Sequence, residues 1–145
     1  MPTRIFTSYY ASNNLNRNKH FLVKVSNSAP NGFLIDATFK EVIPDWNTTV
    51  KPYKDGTIDK MTYTSRYKKQ LDSKQFNIIL SLDTLIKQAK EKDIILLCYE
   101  KPDSFCHRHI LAKWLEDNME TIQATLETEI NPEIKELGQT QLQLF

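Results

Sequence analysis

The chain has little glycine and little cysteine. With three glycines in 145 residues it contains neither the G-x-G-x-x-G fingerprint of dinucleotide-binding domains nor a Walker P-loop, which argues against a glycine-rich phosphate-binding loop. Two cysteines are too few for the disulfide framework of a small secreted domain, so we expect both to be free thiols in a reducing cytoplasm. Because no apolar run approaches the roughly 20 residues of a membrane span and the N-terminus lacks a signal peptide, we expect a cytoplasmic protein without membrane contact.

Length and charge place the chain among ordinary globular proteins. It is 40% hydrophobic and 26% charged, with a formal net charge of +1, so attraction of the whole molecule to polyanions is not indicated. A chain of this length buries about 68–70% of its unfolded surface in one core without disulfides or a structural metal. We therefore expect a single domain over residues 1–131 and a tail over residues 132–145.

Hydrophobic patterning predicts alternating strands and helices. We expect strands at residues 4–10, 20–25 and 33–39, a loop at 44–56 that is a candidate lid, and helices at 58–71 and 74–92. A continuous apolar strand at 94–99 and a helix at 105–118 follow, the latter capped by Asp103 or Ser104, and residues 119–136 hold a further helix or a short edge strand. This order predicts an α/β fold: a single Rossmann-like domain whose mostly parallel central sheet carries helices on both faces.

Reactive side chains cluster where the apolar strand ends and the next helix begins. Cys98 and Glu100 share one face of the strand, because strand side chains alternate. Cys106, His107 and Arg108 open the helix, where free N–H groups form an anion site. We predict that these five residues are catalytic. Cys106 is the candidate nucleophile, Glu100 or His107 the general acid or base, and Arg108 an anion ligand.

Each of these residues also has a simpler interpretation. Cys98 is equally suited to be a small core residue, and His107 to be an inward histidine bonded to a backbone carbonyl. A zinc site is disfavoured because Cys106 and His107 are adjacent and diverge on a helix, and because the chain has no Cys-x2-Cys pair. We therefore expect neither a metal nor a cofactor.

The segment Leu96-Leu97-Cys98-Tyr99-Glu100-Lys101-Pro102, followed by Phe105-Cys106-His107-Arg108, closely resembles the signature of the bacterial and phage family called domain of unknown function 488. The resemblance extends more loosely over about the first 118 residues, including the first strand and the helix with Tyr63 and Tyr67. It implies a Rossmann-like domain with the five reactive residues around one pocket, but it implies no substrate. Many members carry Asp-Val-Arg after an early strand, where this chain has Asp36-Ala37-Thr38, so an arginine from that position is not expected here.

The segment from Lys51 to Lys69 interleaves tyrosines with lysines, a mixture suited to phosphate neutralisation and base stacking. The helical spacing of Tyr63, Tyr67 and Leu71 favours the alternative of core tyrosines beside a solvated lysine face. Across the chain, our candidate substrate-binding residues are Thr7, Ser8, Tyr9, Asp36, Tyr63 and Tyr67.

The last five residues, Gln141 to Phe145, resemble the sliding-clamp-binding motif of bacteria, Gln-Leu-x-Leu-Phe. Gln141, Leu142, Leu144 and Phe145 are therefore candidate partner-binding residues. The alternative is that these apolar side chains pack back on the domain, since an exposed apolar tail lowers solubility.

Three functions remain open from the sequence. The first is a small enzyme, such as a cysteine- or glutamate-dependent hydrolase or transferase, acting on a phosphate-bearing nucleotide or nucleic acid. The second is a non-catalytic nucleotide- or nucleic-acid-binding accessory protein recruited to the clamp by its tail. The third is a thiol-redox protein, in which Cys98 and Cys106 lie close enough to cross-link.

Overall fold

One parallel sheet organises the protein. The computed structural model describes residues 3–99, 105–119 and 124–126. The strands are β1 (Thr3–Tyr9), β2 (His20–Lys24), β3 (Ala37–Thr38), β4 (Asp93–Cys98) and β5 (Ala124–Leu126). Their order is β3-β2-β4-β1-β5 and every neighbouring pair is parallel. The α/β class and the parallel sheet are thus confirmed, and β5 is the edge strand that was one of two options for residues 119–136.

The helices connect the strands as the patterning predicts, with shifts of a few residues. They are α1 (Lys51–Lys54), α2 (Lys60–Ser73), α3 (Gln75–Ala89) and α4 (His107–Asn118). A 3₁₀ turn at Lys40–Val42 and a π-helical turn at Trp46–Val50 precede α1, so much of the predicted 44–56 loop is helical. None of the described helices combines the length and the hydrophobicity that crossing a bilayer requires.

The apolar run of β4 reflects burial on both faces of the sheet. Ile94 to Cys98 are all 0% exposed, between β2 on one side and β1 on the other. A strand that meets packed side chains above and below has no position left for a polar residue. The sequence prediction of a central strand here is confirmed.

The two faces of the sheet are covered differently. On one face the buried stripes of α2, α3 and α4 form the larger core, with side chains such as Tyr67, Leu82 and Leu111 packed on Ile94 and Leu96. On the other face Phe6, Leu22, Ile95 and Leu97 pack against residues of the connecting loops, including Leu15, Phe33 and Ile35. Within the described residues, every buried hydrophobic side chain of α2 and α3, and all of those of α4 except Ala112, belong to the first core, so the helix coverage is more one-sided than expected.

The third strand is shorter than predicted because a side chain replaces part of its backbone pairing. Asp36 Oδ2 accepts the Leu22 amide at 2.7 Å, and the Asp36 amide donates to the Leu22 carbonyl at 2.8 Å. With both backbone groups of Leu22 satisfied by one residue, regular pairing begins only at Ala37, opposite Val23. Asp36 therefore caps the start of β3, and it lines one surface with Arg4 and Asp93 at the amino end of the sheet.

Candidate functional site

Three central strands end together at the carboxyl edge of the sheet. Tyr9 of β1 lies in register with Cys98 of β4, and Lys24 of β2 with Leu97. The pairing continues one residue further, because the amides of Tyr10 and Val25 donate to the carbonyls of Cys98 and Leu97, both at 3.1 Å. The chain segments that follow these strands consequently meet at one place, where ligands bind in open α/β sheets.

Cys106 immediately precedes the first turn of α4. This residue is the N-cap, with an extended backbone (φ −149°, ψ 143°), and the helix begins at His107. The prediction that Asp103 or Ser104 caps this helix is wrong. Because the Cys106 backbone is extended and not helical, its side chain does not diverge from that of His107 as it would inside a helix.

The two cysteines meet at this point. Their sulfur atoms are bonded as a disulfide, and their Cα atoms are 7.7 Å apart. The structure therefore shows a bonded pair where two free thiols were expected, and the sulfurs meet because α4 starts directly against the end of β4. The usual Cα separation in disulfides is about 4.4–6.8 Å, so the same backbone also accommodates two separate thiols side by side.

The surroundings of the two sulfurs differ. Cys98 is 0% exposed, and its sulfur accepts a hydrogen bond of 3.0 Å from Nη1 of Arg108, itself 0% exposed. A guanidinium beside a sulfur favours the thiolate when the pair is reduced. Cys106 is also buried, at 3% exposed, but it borders a surface cleft. Arg108 thus contacts the Cys98 sulfur and lies outside the cleft lining, and its role as an anion ligand stays a prediction.

His107 is a neutral side chain with a defined tautomer. Burial lowers the pKa of its imidazole to about 4, with the Arg108 charge acting in the same direction. Its Nε2 lies 2.5 Å from the Val25 carbonyl oxygen, so Nε2 carries the proton and donates it. Nδ1 then has a lone pair, and it lies 3.8 Å from the Cys106 sulfur. The inward histidine bonded to a carbonyl, an alternative left open by the sequence, is observed, and the second nitrogen still faces the thiol.

Tyr67 packs against the His107 side chain in the core. Its ring lies edge-on to the His107 imidazole, with centroids 5.6 Å apart. Burial raises the pKa of the Tyr67 phenol well above its usual value, so the phenol keeps its proton and donates it to the Val42 carbonyl at 2.5 Å. Tyr67 is a core residue that fixes the orientation of His107.

Three possible metal ligands converge here. One ligand atom each of Cys98, Cys106 and His107 lies within 4.8 Å of the others. Cys106 and His107 do not diverge in the structure, contrary to the sequence-based expectation that disfavoured zinc. Two thiolates and an imidazole suit a soft metal such as zinc once the disulfide is reduced. The Arg108 guanidinium, which already donates to Cys98, opposes a second positive charge at that sulfur.

An aromatic cleft of about 320 Å³ opens beside Cys106 and His107. Its aromatic lining consists of Trp46, Tyr53, Tyr63, Tyr99 and Phe105. Tyr53, Tyr63 and Phe105 contact one another with centroids 5.1–5.3 Å apart, whereas Trp46 and Tyr99 are 43% and 45% exposed. Ser26, Asn27, Ser28 and Lys54 add polar and charged groups to the lining.

Two loops that line the cleft are held in place by hydrogen bonds. The Tyr10 hydroxyl donates to Ser26 Oγ at 2.7 Å, which in turn donates to the Ser28 carbonyl at 2.6 Å. Asn27 Nδ2 donates to the Pro44 carbonyl at 3.1 Å and so ties one loop to the other.

Helix α2 anchors the second loop further. Gln70 Nε2 donates to the Ile43 carbonyl at 2.7 Å, and Arg66 Nη1 donates to the Thr48 carbonyl, also at 2.7 Å. The segment predicted as a candidate lid is therefore anchored on α2 and forms part of the lining.

The other sequence candidates are distributed unevenly around this site. Tyr63 lines the cleft, and the Tyr9 ring lies 6.0 Å from the Arg108 guanidinium carbon. Thr7 and Ser8 are fully buried inside the sheet, outside the cleft lining. Asp36 lies at the opposite end of the sheet. Glu100 and the tail residues Gln141, Leu142, Leu144 and Phe145 lie outside the described residues.

The sequence predicts residues 44–56 as a candidate lid, but neither Ser26 to Ser28 nor Trp46 was among the candidate site residues. Ser26 to Ser28 follow directly after β2, and the rule that ligands bind beyond strand carboxyl ends applied to them as it did to Cys98. Trp46 and Tyr53 stand in a polar, proline-containing segment, where large aromatic residues without a core periodicity suggest a binding surface.

Comparison with known proteins identifies one family. The model of DUF488-N3a, described as the active DUF488-N3 subclade, matches residues 2–119. No curated protein and no solved structure matches the chain.

Proposed function

The chain belongs to the DUF488 family, and on that premise we propose that it is a thiol-dependent enzyme that acts on a nucleobase-containing substrate, with Cys106 as the nucleophile. The observation that carries the proposal is the position of Cys106 at an aromatic cleft, with Nδ1 of a neutral histidine 3.8 Å from its sulfur. The description of the matched subclade as active agrees with a working site.

The lining of the cleft favours a planar aromatic ligand. Trp46 and Tyr99 are partly exposed aromatic side chains in the lining, and base–aromatic stacking contributes about 1–3 kcal/mol per base. Ser26, Asn27 and Ser28 offer donors and acceptors for the edge of a base. The Lys54 ammonium lies 5.6 Å from the Trp46 ring centroid, where it can also meet a phosphate.

The reduced site contains the parts of a nucleophilic mechanism. The Cys106 thiol donates its proton to His107 Nδ1 as the sulfur attacks, since Nε2 is already protonated and bonded to Val25. An imidazole with a pKa of about 4 is a weak base, so it takes the proton only transiently and returns it readily to a leaving group. The free N–H groups at the start of α4 stabilise negative charge on the N-cap sulfur.

Alkylation of the reduced protein tests this proposal without knowledge of the reaction. Iodoacetamide should modify Cys106 before Cys98, and nucleoside monophosphates should slow modification of Cys106, as read site by site by mass spectrometry. Trp46→Ala should remove this protection, because it deletes a stacking surface that is already 43% exposed and contributes little to the core.

Two control variants make the result specific. Cys98→Ala should leave the labelling of Cys106 intact, and Cys106→Ser should abolish it. The proposal fails if Cys98 reacts first, or if no nucleoside monophosphate changes the labelling rate of Cys106.

The sulfur–sulfur bond favours a second candidate function, that of a thiol–disulfide oxidoreductase. Cys106 thiolate would attack a disulfide of a partner and release one partner thiolate. Cys98 thiolate would then attack the Cys106 sulfur, release the second partner thiolate and leave the Cys98–Cys106 bond. The partner gains two electrons and the cysteine pair loses two.

Redox titration separates this candidate from the first. In glutathione buffers the oxidoreductase should change reversibly between two free thiols and none, and Cys98→Ala should accumulate a mixed disulfide on Cys106. A reversible titration without any nucleotide protection would favour the oxidoreductase over the nucleobase enzyme.

A further inference from the structure

The exposed side of α2 next to the aromatic cleft is strongly basic. Between residues 51 and 69 the chain has six basic and two acidic residues, although the whole molecule carries a formal charge of only +1. Lys60, Lys68 and Lys69 line one shallow surface of the helix together with Met61, Thr64 and Ser65. We call Lys60, Lys68 and Lys69 the α2 lysine track.

Lys60 joins this track to the cleft. Its ammonium lies 5.6 Å from the centroid of Phe105, a ring that lines the cleft. Lys60 and Lys68 are eight residues apart on the helix, which corresponds to about 12 Å. One strand of a nucleic acid rises about 3.4 Å per phosphate in a duplex and more when extended, so this distance covers at most three to four phosphates of a single strand.

The track is available to an external anion. Within the described part of the chain, neither Lys54 nor any lysine of the track forms an ion pair with a carboxylate, whereas Lys51, Lys87 and Lys113 each pair with an aspartate four residues away. Asp72 is the one acidic residue in the lining of this surface, and it accepts a hydrogen bond from Trp114 Nε1 at 2.8 Å.

We infer that the substrate is a single-stranded polynucleotide, with one base in the aromatic cleft and the adjoining phosphates along the α2 lysine track. This inference rests on the proposed function, because it takes the cleft as the base-binding site. A free nucleotide would fill the cleft and would leave Lys68 and Lys69 without a role. A strand engages both, since stacking surfaces combined with a line of cations are the usual means of binding single strands.

Fluorescence anisotropy with labelled 12-nucleotide DNA and RNA of the same sequence tests the inference on the reduced full chain. At least one of the two should bind ten times more tightly than the nucleoside monophosphate, and the comparison shows which sugar is preferred. Lys68→Ala/Lys69→Ala should weaken oligonucleotide binding at least tenfold and lower the salt slope by about 1.4, the value for two phosphate contacts on a single strand.

The matched control is Lys19→Ala/Lys90→Ala, which removes the same charge from the amino end of the sheet. It should bind the oligonucleotide like the unmodified protein, and neither double variant should change mononucleotide affinity by more than twofold. Equal oligonucleotide affinity for all three proteins overturns the inference.

The outcomes distinguish this inference from the proposed function. Mononucleotide protection of Cys106 without tighter oligonucleotide binding leaves the proposed function standing and overturns the polynucleotide track. Lysine-dependent oligonucleotide binding, with neither the oligonucleotide nor any nucleoside monophosphate protecting Cys106, supports a binding module and overturns both the base in the cleft and the proposed enzyme.

Discussion

The first and last residues of β4, Asp93 and Cys98, each accept hydrogen bonds from an arginine, one at the surface and one in the interior. At the amino end Arg4, with its side chain 53% exposed, donates to both carboxylate oxygens of Asp93, the closer at 2.9 Å. At the carboxyl end Arg108 is fully buried and donates to the sulfur of Cys98 at 3.0 Å. Water screens the first contact and is excluded from the second. The same residue type is therefore a surface ion pair at one end and part of a reactive cluster at the other.

This contrast predicts very different costs of removing the two arginines. Arg108→Ala should lower the free energy of unfolding by about 3 kcal/mol or more, because it leaves a void and deletes buried donors. Arg4→Ala should cost less than about 1 kcal/mol, the usual range for an exposed pair. Urea unfolding of both variants under reducing conditions measures the difference, and equal losses would contradict the contrast.

The buried imidazole of His107 should make stability depend on pH at the carboxyl end. The pKa of His107 is lowered from 6.5 to about 4, so between these values the unfolded chain binds a proton that the folded protein excludes. The stabilisation is complete above pH 6.5 and decreases as the pH falls towards 4, with a loss of about 2 kcal/mol between pH 7 and pH 5.

Urea unfolding at pH 7 and pH 5 gives this quantity directly. His107→Gln keeps a donor for the Val25 carbonyl and removes the titrating group, so the drop should shrink by about that amount in the variant. An identical drop in both proteins would assign the titration to other groups.

The smallest expected effect on stability distinguishes Tyr67, which packs on His107 in the core, from Tyr53, which lines the cleft. Tyr67→Phe removes the donor to the Val42 carbonyl inside the core and should cost about 1–2 kcal/mol of unfolding free energy. Tyr53→Phe is the matched control. Its ring is half-buried at the cleft, no hydrogen bond of its hydroxyl is found among the described residues, and the expected change is within about 0.5 kcal/mol. A larger cost for Tyr53→Phe would place its hydroxyl among the structural contacts.

The elements that carry the site were predictable where one segment contains its own pattern. The continuous apolar run of β4 indicates burial on both faces, and the four-residue spacing of Tyr63 and Tyr67 indicates the inner stripe of α2. The third strand was predicted too long, because the bond from the Leu22 amide to the Asp36 side chain ends the pairing and leaves no local signal.

Residue order along the chain therefore determines which segments become strands and helices and which of their faces are apolar, since these follow from side-chain periodicity over a few turns. It also places Cys98, Cys106, His107 and Arg108 near one strand end. Only the folded structure decides what each of them faces, because those neighbours come from distant parts of the chain. His107 binds a carbonyl 82 residues away, and the loops after β2 and before α1 complete the cleft. Packing of this kind turns Arg108 inward to a sulfur and leaves Arg4 in water.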